Sequence, residues 1–393
     1  MREIRFEVVE PSENHVHLRL YGEDGRLEGE RELDPQEVDS LITRVEKAYR
    51  RTPFPEDLPA LGAELFRFLD GDEHGWLRKA REASRRTLTV RIDVRGRLAH
   101  LPWELLHDGG VDLCSLPRGG ILPVRQVGRE VQKRTAENRP LRILFMAADP
   151  LDGGPSLRYE QEESLILKAT RRAQLELEVE ESGSLRGLEE KVQDFGDRHF
   201  DVFHLTGHAA LTKAGPIFLL ENDEGLRHEV SPEEFQSAFG EEWPSLLFLS
   251  GCETGKAQDA GGLPSFCEAL VRAGAPAVLG WALPVRDNIA SLAAEELYQE
   301  LATGRPLDEA VVAVRAALHA FEKTQKRLGP HANWHLLRLY SDGSDLGPRV
   351  TPPKTPDREV LRPALPAAQD FLDAQAKSEV CPRERFVGRR RQV

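Results

Sequence analysis

Two stretches decide how this chain folds: Phe200-Asp-Val-Phe-His-Leu-Thr-Gly-His-Ala209 and Pro244-Ser-Leu-Leu-Phe-Leu-Ser-Gly-Cys-Glu-Thr-Gly255. Each holds a short apolar run that ends at a glycine and then a reactive side chain. Such runs are expected of strands covered on both faces, as in a parallel sheet. In an open parallel sheet, ligands bind where the C-terminal ends of the strands emerge. The reading places His208 just past the strand 201–205 and Cys252 just past the strand 245–249. If these strands are neighbours, their axes lie about 4.8 Å apart, and imidazole and thiol share one cleft. A thiol that can form thiolate, beside an imidazole that moves protons, is the requirement for nucleophilic catalysis. Gly251 and Gly255 permit the tight turns that present the thiol. The backbone N–H groups of Cys252 and Ala209 are candidates for an oxyanion hole.

Outward from these stretches the pattern alternates. Strands are expected at 141–148, 175–179, 201–205, 245–249, 277–281 and 334–340, with helices at about 157–172 and 184–195. A small hairpin spans Ile217 to Gly225, and two further helices carry Ile289, Ala293, Leu297 and Leu301, then Val311, Val314, Leu318 and Phe321. This predicts an α/β fold with a doubly wound, mainly parallel sheet flanked by helices. Upstream, Ile4–Val9 and Val16–Leu20 alternate as a hairpin, Asp34-Pro35 opens a helix, and Leu58, Leu61, Leu65, Phe68 and Leu69 mark a second. Thr87–Val94 alternates as a strand, Leu101–Leu106 reads as a short helix, and 129–139 is a polar connector. The expected organisation is an N-terminal α/β accessory module (1–137), a catalytic domain (138–345), a Pro-rich linker (346–382) and the beginning of a further domain (383–393).

Bulk properties exclude several classes. The 393 residues carry 53 Lys and Arg against 66 Asp and Glu, a net charge of −13, so no basic surface for nucleic acid dominates. No apolar run approaches the roughly 20 residues of a membrane span, and the N-terminus does not begin a signal peptide, so a cytoplasmic protein is expected. Four scattered cysteines with no CxxC pair exclude a disulfide scaffold and a cysteine zinc knuckle. The run Gly251–Lys256 echoes a phosphate-binding loop, but only three residues separate its glycines and Ala257 follows the lysine, against the pattern. His204/His208 and His331/His335 have helical zinc spacing but fall on strands or loops, where they do not converge. Cys267 reads as a packed helix face and His204 as a packed strand residue. Cys114 and Cys381 read as chance thiols in polar loops.

The contexts of His208 and Cys252 resemble the dyad motifs of CHAT domains, caspase-like peptidases akin to separases. The resemblance extends through LPWELLHDGG (101–110), LRILFMAADP (141–150), ALVRAGAPAVLGWALPVRD (269–287), LYQELATGRPLDEAVVAVRAAL (297–318) and NWHLLRLYSDG (333–343). Ala209 stands where caspases proper carry glycine. The resemblance implies a caspase-like fold and a cysteine endopeptidase acting on a protein substrate through Cys252 and His208, without a cofactor. It also implies that Asp287, like an aspartate of separases, faces a basic side chain of the substrate. The competing expectation is that Asp287 caps the helix that follows. Glu253 and Asp259 are the other candidate carboxylates. Residues 256–262 form a small, polar stretch suited to cover a cleft. Phe386-Val-Gly-Arg389 resembles the opening of AAA or NACHT-like signalling ATPase modules, which implies a regulated effector, as in bacterial defence. The alternative from another class is a catalytically silent scaffold that uses the same fold to bind proteins.

Overall fold

The alternation in the first twenty residues becomes an antiparallel pair, β1 (Glu3–Ser12) and β2 (His15–Tyr21), with Val16, Leu18 and Leu20 turned into the core. The computed structural model describes residues 3–12, 15–49, 57–84, 86–128, 135–152, 164, 166, 175–196, 198–251, 262–283, 285–324 and 334–351. The expected helix at 157–172 lies almost wholly outside these residues. A strand the sequence did not announce follows: β3 (Leu27–Leu33) is the end strand of the sheet, and its alternating glutamates face solvent. Charged side chains on an end strand discourage pairing with other chains. Helix α1 (Pro35–Tyr49) buries Val38, Leu41, Ile42, Val45 and Tyr49, the face its spacing predicts. Helices α2 (Leu58–Asp70) and α3 (Trp76–Ala83) complete this layer.

Strand β4 (Leu88–Asp93) matches the expected run, and residues Trp103–Leu105 form a single 3-10 turn rather than a longer helix. Strand β5 (Ile121–Gln126) was hidden by Pro123 and Arg125, yet every residue in it is buried. Then come β6 (Leu141–Ala147), β7 (Leu175–Glu180) and α4 (Leu185–Phe195), whose N-cap Ser184 accepts a hydrogen bond from the Gly187 amide. Strand β8 (Val202–Leu211) is followed by the hairpin β9 (Pro216–Glu221) and β10 (Arg227–Val230). Ser231 and Glu234 form a capping box on α5 (Pro232–Phe239). The chain continues through β11 (Leu246–Gly251), α6 (Gly262–Arg272), β12 (Ala277–Trp281), α7 (Asp287–Ala302), α8 (Leu307–Thr324) and β13 (Leu337–Ser341).

The main sheet has the order β7-β6-β8-β11-β12-β13-β5-β4-β1-β2-β3, and the β9–β10 hairpin pairs onto the far end of β8. Strands β7, β6, β8, β11 and β12 are mutually parallel. Strand β13 runs antiparallel to β12, and β5, β4 and β1 run parallel to β13. Two parallel blocks therefore share one sheet, with their C-terminal ends on opposite edges. The sheet crosses from residues 138–345 into residues 1–137 without interruption, at the β13–β5 pair. Alternation along the strands builds two cores. Ile143, Phe145, Val202, Phe248 and Leu279 pack with α7 and α8 on one face. Leu144, Met146, Phe203, Leu205, Leu247 and Leu249 pack with α4, α5 and α6 on the other.

One buried carboxylate ties the blocks together. Glu104 accepts two hydrogen bonds from Arg125 at 2.6 and 2.9 Å and one from Arg315 at 3.3 Å, with Arg338 Nε at 3.9 Å. Arg125 also donates to the carbonyls of Ala99 and Leu101, and Arg315 to that of Leu337. Burial alone would raise the Glu104 carboxyl, but the guanidinium groups outweigh it and hold it below the ordinary glutamate value. Among the described residues, no helix is long and apolar enough to cross a membrane.

Candidate active site

Strand β8 does two jobs along its length. From Val202 to Thr206 it lies between β6 and β11, and the β11 register continues to the pair Gly251↔Gly207. From His208 to Leu211 it leaves those neighbours and pairs antiparallel with β9, His208 opposite Leu219 and Ala209 opposite Phe218. His208 is thus inside a strand, where the sequence reading put it just beyond one. Its place is the first residue after the sheet splits. Gly207 makes the split possible: a Cβ there would sit 2.4 Å from Cε1 of Phe218 and 3.3 Å from the carbonyl oxygen of Ala148. No other residue lets the ring of β9 lie so close.

His208 and Ala209 are half-buried. Burial pushes the His208 imidazole below the ordinary histidine value, and the charge of Asp149 pulls it the other way. A depressed imidazole is neutral at physiological pH and able to accept a proton. Cys252 is the residue after Gly251 in the chain, and it lies outside the described residues, as do Glu253, Asp259 and the stretch 252–261. The strands that carry His208 and lead to Cys252 are adjacent and in register to their last pair. Asp287 is the first residue of α7, with Arg286 in the N-cap position. The expectation that Asp287 itself is the cap is therefore corrected, and its side chain is outside the description.

The other candidates sort by burial. His204 is fully buried, with its ring against Phe145, Phe248 and Tyr298 and its Nε2 3.2 Å from the Thr206 hydroxyl, as a packed strand residue should be. Cys267 is buried on α6, and burial raises its thiol to about 12. Cys114 is no chance thiol in a polar loop: it is fully buried in a 3-10 turn, its Sγ 3.7 Å from the carbonyl of Trp103, and burial raises it as well. Neither thiol ionises near neutral pH, so neither can serve as a nucleophile. Cys381 and His331 lie outside the described residues. His335 is fully buried, its Nδ1 2.8 Å from the Tyr49 hydroxyl. Among the described residues, one set of groups could hold a metal: His15, His17 and Glu32, with ligand atoms within 4.8 Å of one another. They sit near the far end of the sheet order from β8. His15 is 2.7 Å from Glu32 and His17 is 3.2 Å from Glu30, so each imidazole has a carboxylate of its own across the β2–β3 hairpin.

Asp149 has no role assigned from the sequence, although it lies in the run 141–150. The available signal was an acid directly after an apolar strand, at the edge where the reactive residues were expected.

The CHAT domain family matches residues 59–344, from α2 to just past β13. The chain belongs to the CHAT domain family. The family region thus takes in β4, β5 and the Glu104 turn along with the strands of the candidate site. The comparison with curated proteins gives no match. Among solved structures, the separase–securin complex of Saccharomyces cerevisiae is similar at 12% identity and a TM-score of 0.43, over 87% of this chain and 30% of that one. Caspase-1 from Spodoptera frugiperda is similar at 14% identity and a TM-score of 0.33, over 57% of this chain and 98% of that one. This CHAT chain therefore spans less than a third of the length of the separase chain it matches.

Proposed function

We propose that this CHAT domain is a cysteine endopeptidase in which Cys252 is the nucleophile and His208 its proton carrier. The observation that supports this best is the register of β8 and β11, which runs to Gly207↔Gly251, the residues that directly precede His208 and Cys252 in the chain. The neutral imidazole takes the thiol proton, and the thiolate attacks the scissile carbonyl to form a tetrahedral oxyanion held by the amides of Cys252 and Ala209. Collapse breaks the C–N bond, and the imidazolium gives its proton to the leaving amine. Water, deprotonated by His208, then hydrolyses the thioester and restores the thiol.

In this reading Asp287, Glu253 and Asp259 are the carboxylates that select the residue before the scissile bond, with Asp287 favoured for a basic side chain. The segment from Phe386 to Arg389 begins a regulatory ATPase module, and proteolysis is the output of a regulated signalling or defence protein. The test is a peptide library cleaved by the purified chain and read by mass spectrometry. Cleavage lost in both Cys252→Ala and His208→Ala supports the reading, and cleavage retained in Cys252→Ala ends it. Peptides ending in Arg or Lys should exceed those ending in Asp by about tenfold, the discrimination one charge-assisted pair supplies. Parity between them removes the basic pocket.

A further inference from the structure

The acid at the end of β6 is placed by the same sheet that places His208. The β6–β8 register reaches Ala147↔Thr206, and the Ala148 amide donates to the Thr206 carbonyl at 2.8 Å. Asp149 lies two residues past the last paired residue of β6 and His208 two past the last residue of β8 paired with it, and the charge of Asp149 reaches the His208 imidazole. Asp149 is only 4% exposed, although it closes a strand at the edge of the sheet.

The backbone around it is stapled. The Asp149 amide donates to Oε1 of Glu221 at 2.8 Å. The Leu151 amide donates to the Gly225 carbonyl at 2.9 Å, and the Arg227 amide donates to Oδ1 of Asp152 at 2.6 Å. Four hydrogen bonds from residues 148–152 thus reach β8, the end of β9 and the turn into β10. These bonds fix the Asp149 backbone at the end of β6, where its side chain is buried. A buried carboxylate is tolerated when a partner offsets its desolvation, and a histidine beside it is a partner of the right chemistry.

The groups around His208 narrow the choice. On β8 its neighbours are Thr206, Gly207, Ala209 and Ala210, none of them charged. Across the β9 ladder it faces Leu219, and Glu221 further along is engaged by the Asp149 amide. On β11 the closest described positions are Ser250 and Gly251. Among the described residues, Asp149 is the charged group that acts on the imidazole.

We propose that Asp149 is a positioning residue for His208, holding the imidazole in place and stabilising its protonated form. The proposal rests on the peptidase reading for its consequence in catalysis, but not for the coupling between Asp149 and His208. An adjacent carboxylate fixes which ring nitrogen carries the proton and favours the imidazolium that forms when the thiol ionises. Its sign is definite. Removing the charge lowers the pH at which His208 titrates, because the charged form loses its stabilisation while burial continues to oppose it.

The experiment compares the wild-type chain with Asp149→Asn, which keeps size and one acceptor oxygen but not the charge, and Asp149→Glu, which keeps charge. Histidine-labelled protein is titrated by NMR, with His208 assigned from its loss in His208→Gln. The expected result is a His208 midpoint lower by about one pH unit in Asp149→Asn and closer to wild type in Asp149→Glu. On the best peptide of the library, Asp149→Asn should lose about 10²-fold in kcat with KM unchanged, and Asp149→Glu should recover part of it. An unmoved His208 midpoint in Asp149→Asn overturns the proposal, as does a kcat and pH profile that match wild type. If no peptide is cleaved by the wild type, the peptidase reading is what fails, and the titration still decides whether Asp149 and His208 are coupled.

Discussion

The two parallel blocks of the sheet are built alike and end differently. In the block β13, β5, β4 and β1, the residues at the strand ends are tied up locally. The Gln126 side-chain amide donates to the Gly128 carbonyl, the Ser341 hydroxyl accepts from Gly343, and Asp342 accepts from Ser344 at 2.7 Å. Arg91 is buried and donates to the Ser344 carbonyl. In the block β7, β6, β8, β11 and β12, the middle strand swaps partners at a glycine and presents a half-buried histidine where the sheet divides. Ends of parallel strands are favourable places for chemistry, but a strand end alone is not a site. What distinguishes the second edge is the split itself, with half-buried His208 at it and buried Asp149 just past the neighbouring strand β6. The first block, through Glu104 and its arginines, serves instead as the fixed wall against which the working block is held.

The sharpest break of that comparison is Glu104→Ala. It leaves Arg125, Arg315 and Arg338 buried without their carboxylate, and removing one partner of a buried ion pair costs about 3–5 kcal/mol. Urea denaturation should show that loss, and a change below about 1 kcal/mol would deny the cluster its structural role. The pH dependence has a definite sign. Because the folded Glu104 carboxyl is depressed, its contribution is complete above the ordinary glutamate value and is lost as pH falls through the lowered folded value. Acid titration of stability should therefore be shallower in Glu104→Gln than in wild type.

A smaller effect is expected where the sheet splits. Gly207→Ala drives a methyl into the ring of Phe218, and overpacking of this kind costs about 1–3 kcal/mol. Its cleavage rate should fall by more than its stability does, because β9 must move away from His208. Equal, small losses in both would mean that the split is not tuned for the site. Smallest of all is Cys267→Ala, which trims a buried thiol on α6 and should cost about 1 kcal/mol with cleavage unchanged. A loss of cleavage there would assign the nucleophile to the wrong thiol.

These differences also mark how far the sequence could be read. Strands β6, β8, β11 and β12 were legible because both faces are covered and the apolar runs are continuous. The swap from parallel pairing to the β9 hairpin was not, since Ala209, Ala210 and Leu211 continue the run with no change of pattern. Strand β5 was masked by Pro123, which argues against a central strand, and β3 by glutamates that suit an end strand. Cys114 was misjudged because its neighbours Asp112 and Ser115 are polar, while its burial depends on Trp103 and the turn before it. Glu104 and Asp149 share a deeper reason. Their partners are far away in sequence, at Arg315 and His208, and only the order of strands brings them together.

Activation of Cys252 by His208 is the step on which the proposed chemistry depends. Native protein at neutral pH is treated with iodoacetamide in limiting amount, and the labelled thiols are located by peptide mapping at successive times. Cys252 should be alkylated well ahead of Cys114 and Cys267, and His208→Ala should slow Cys252 by about tenfold, since the thiolate is the reactive form. A Cys252 rate that is the same with and without His208 would contradict the account.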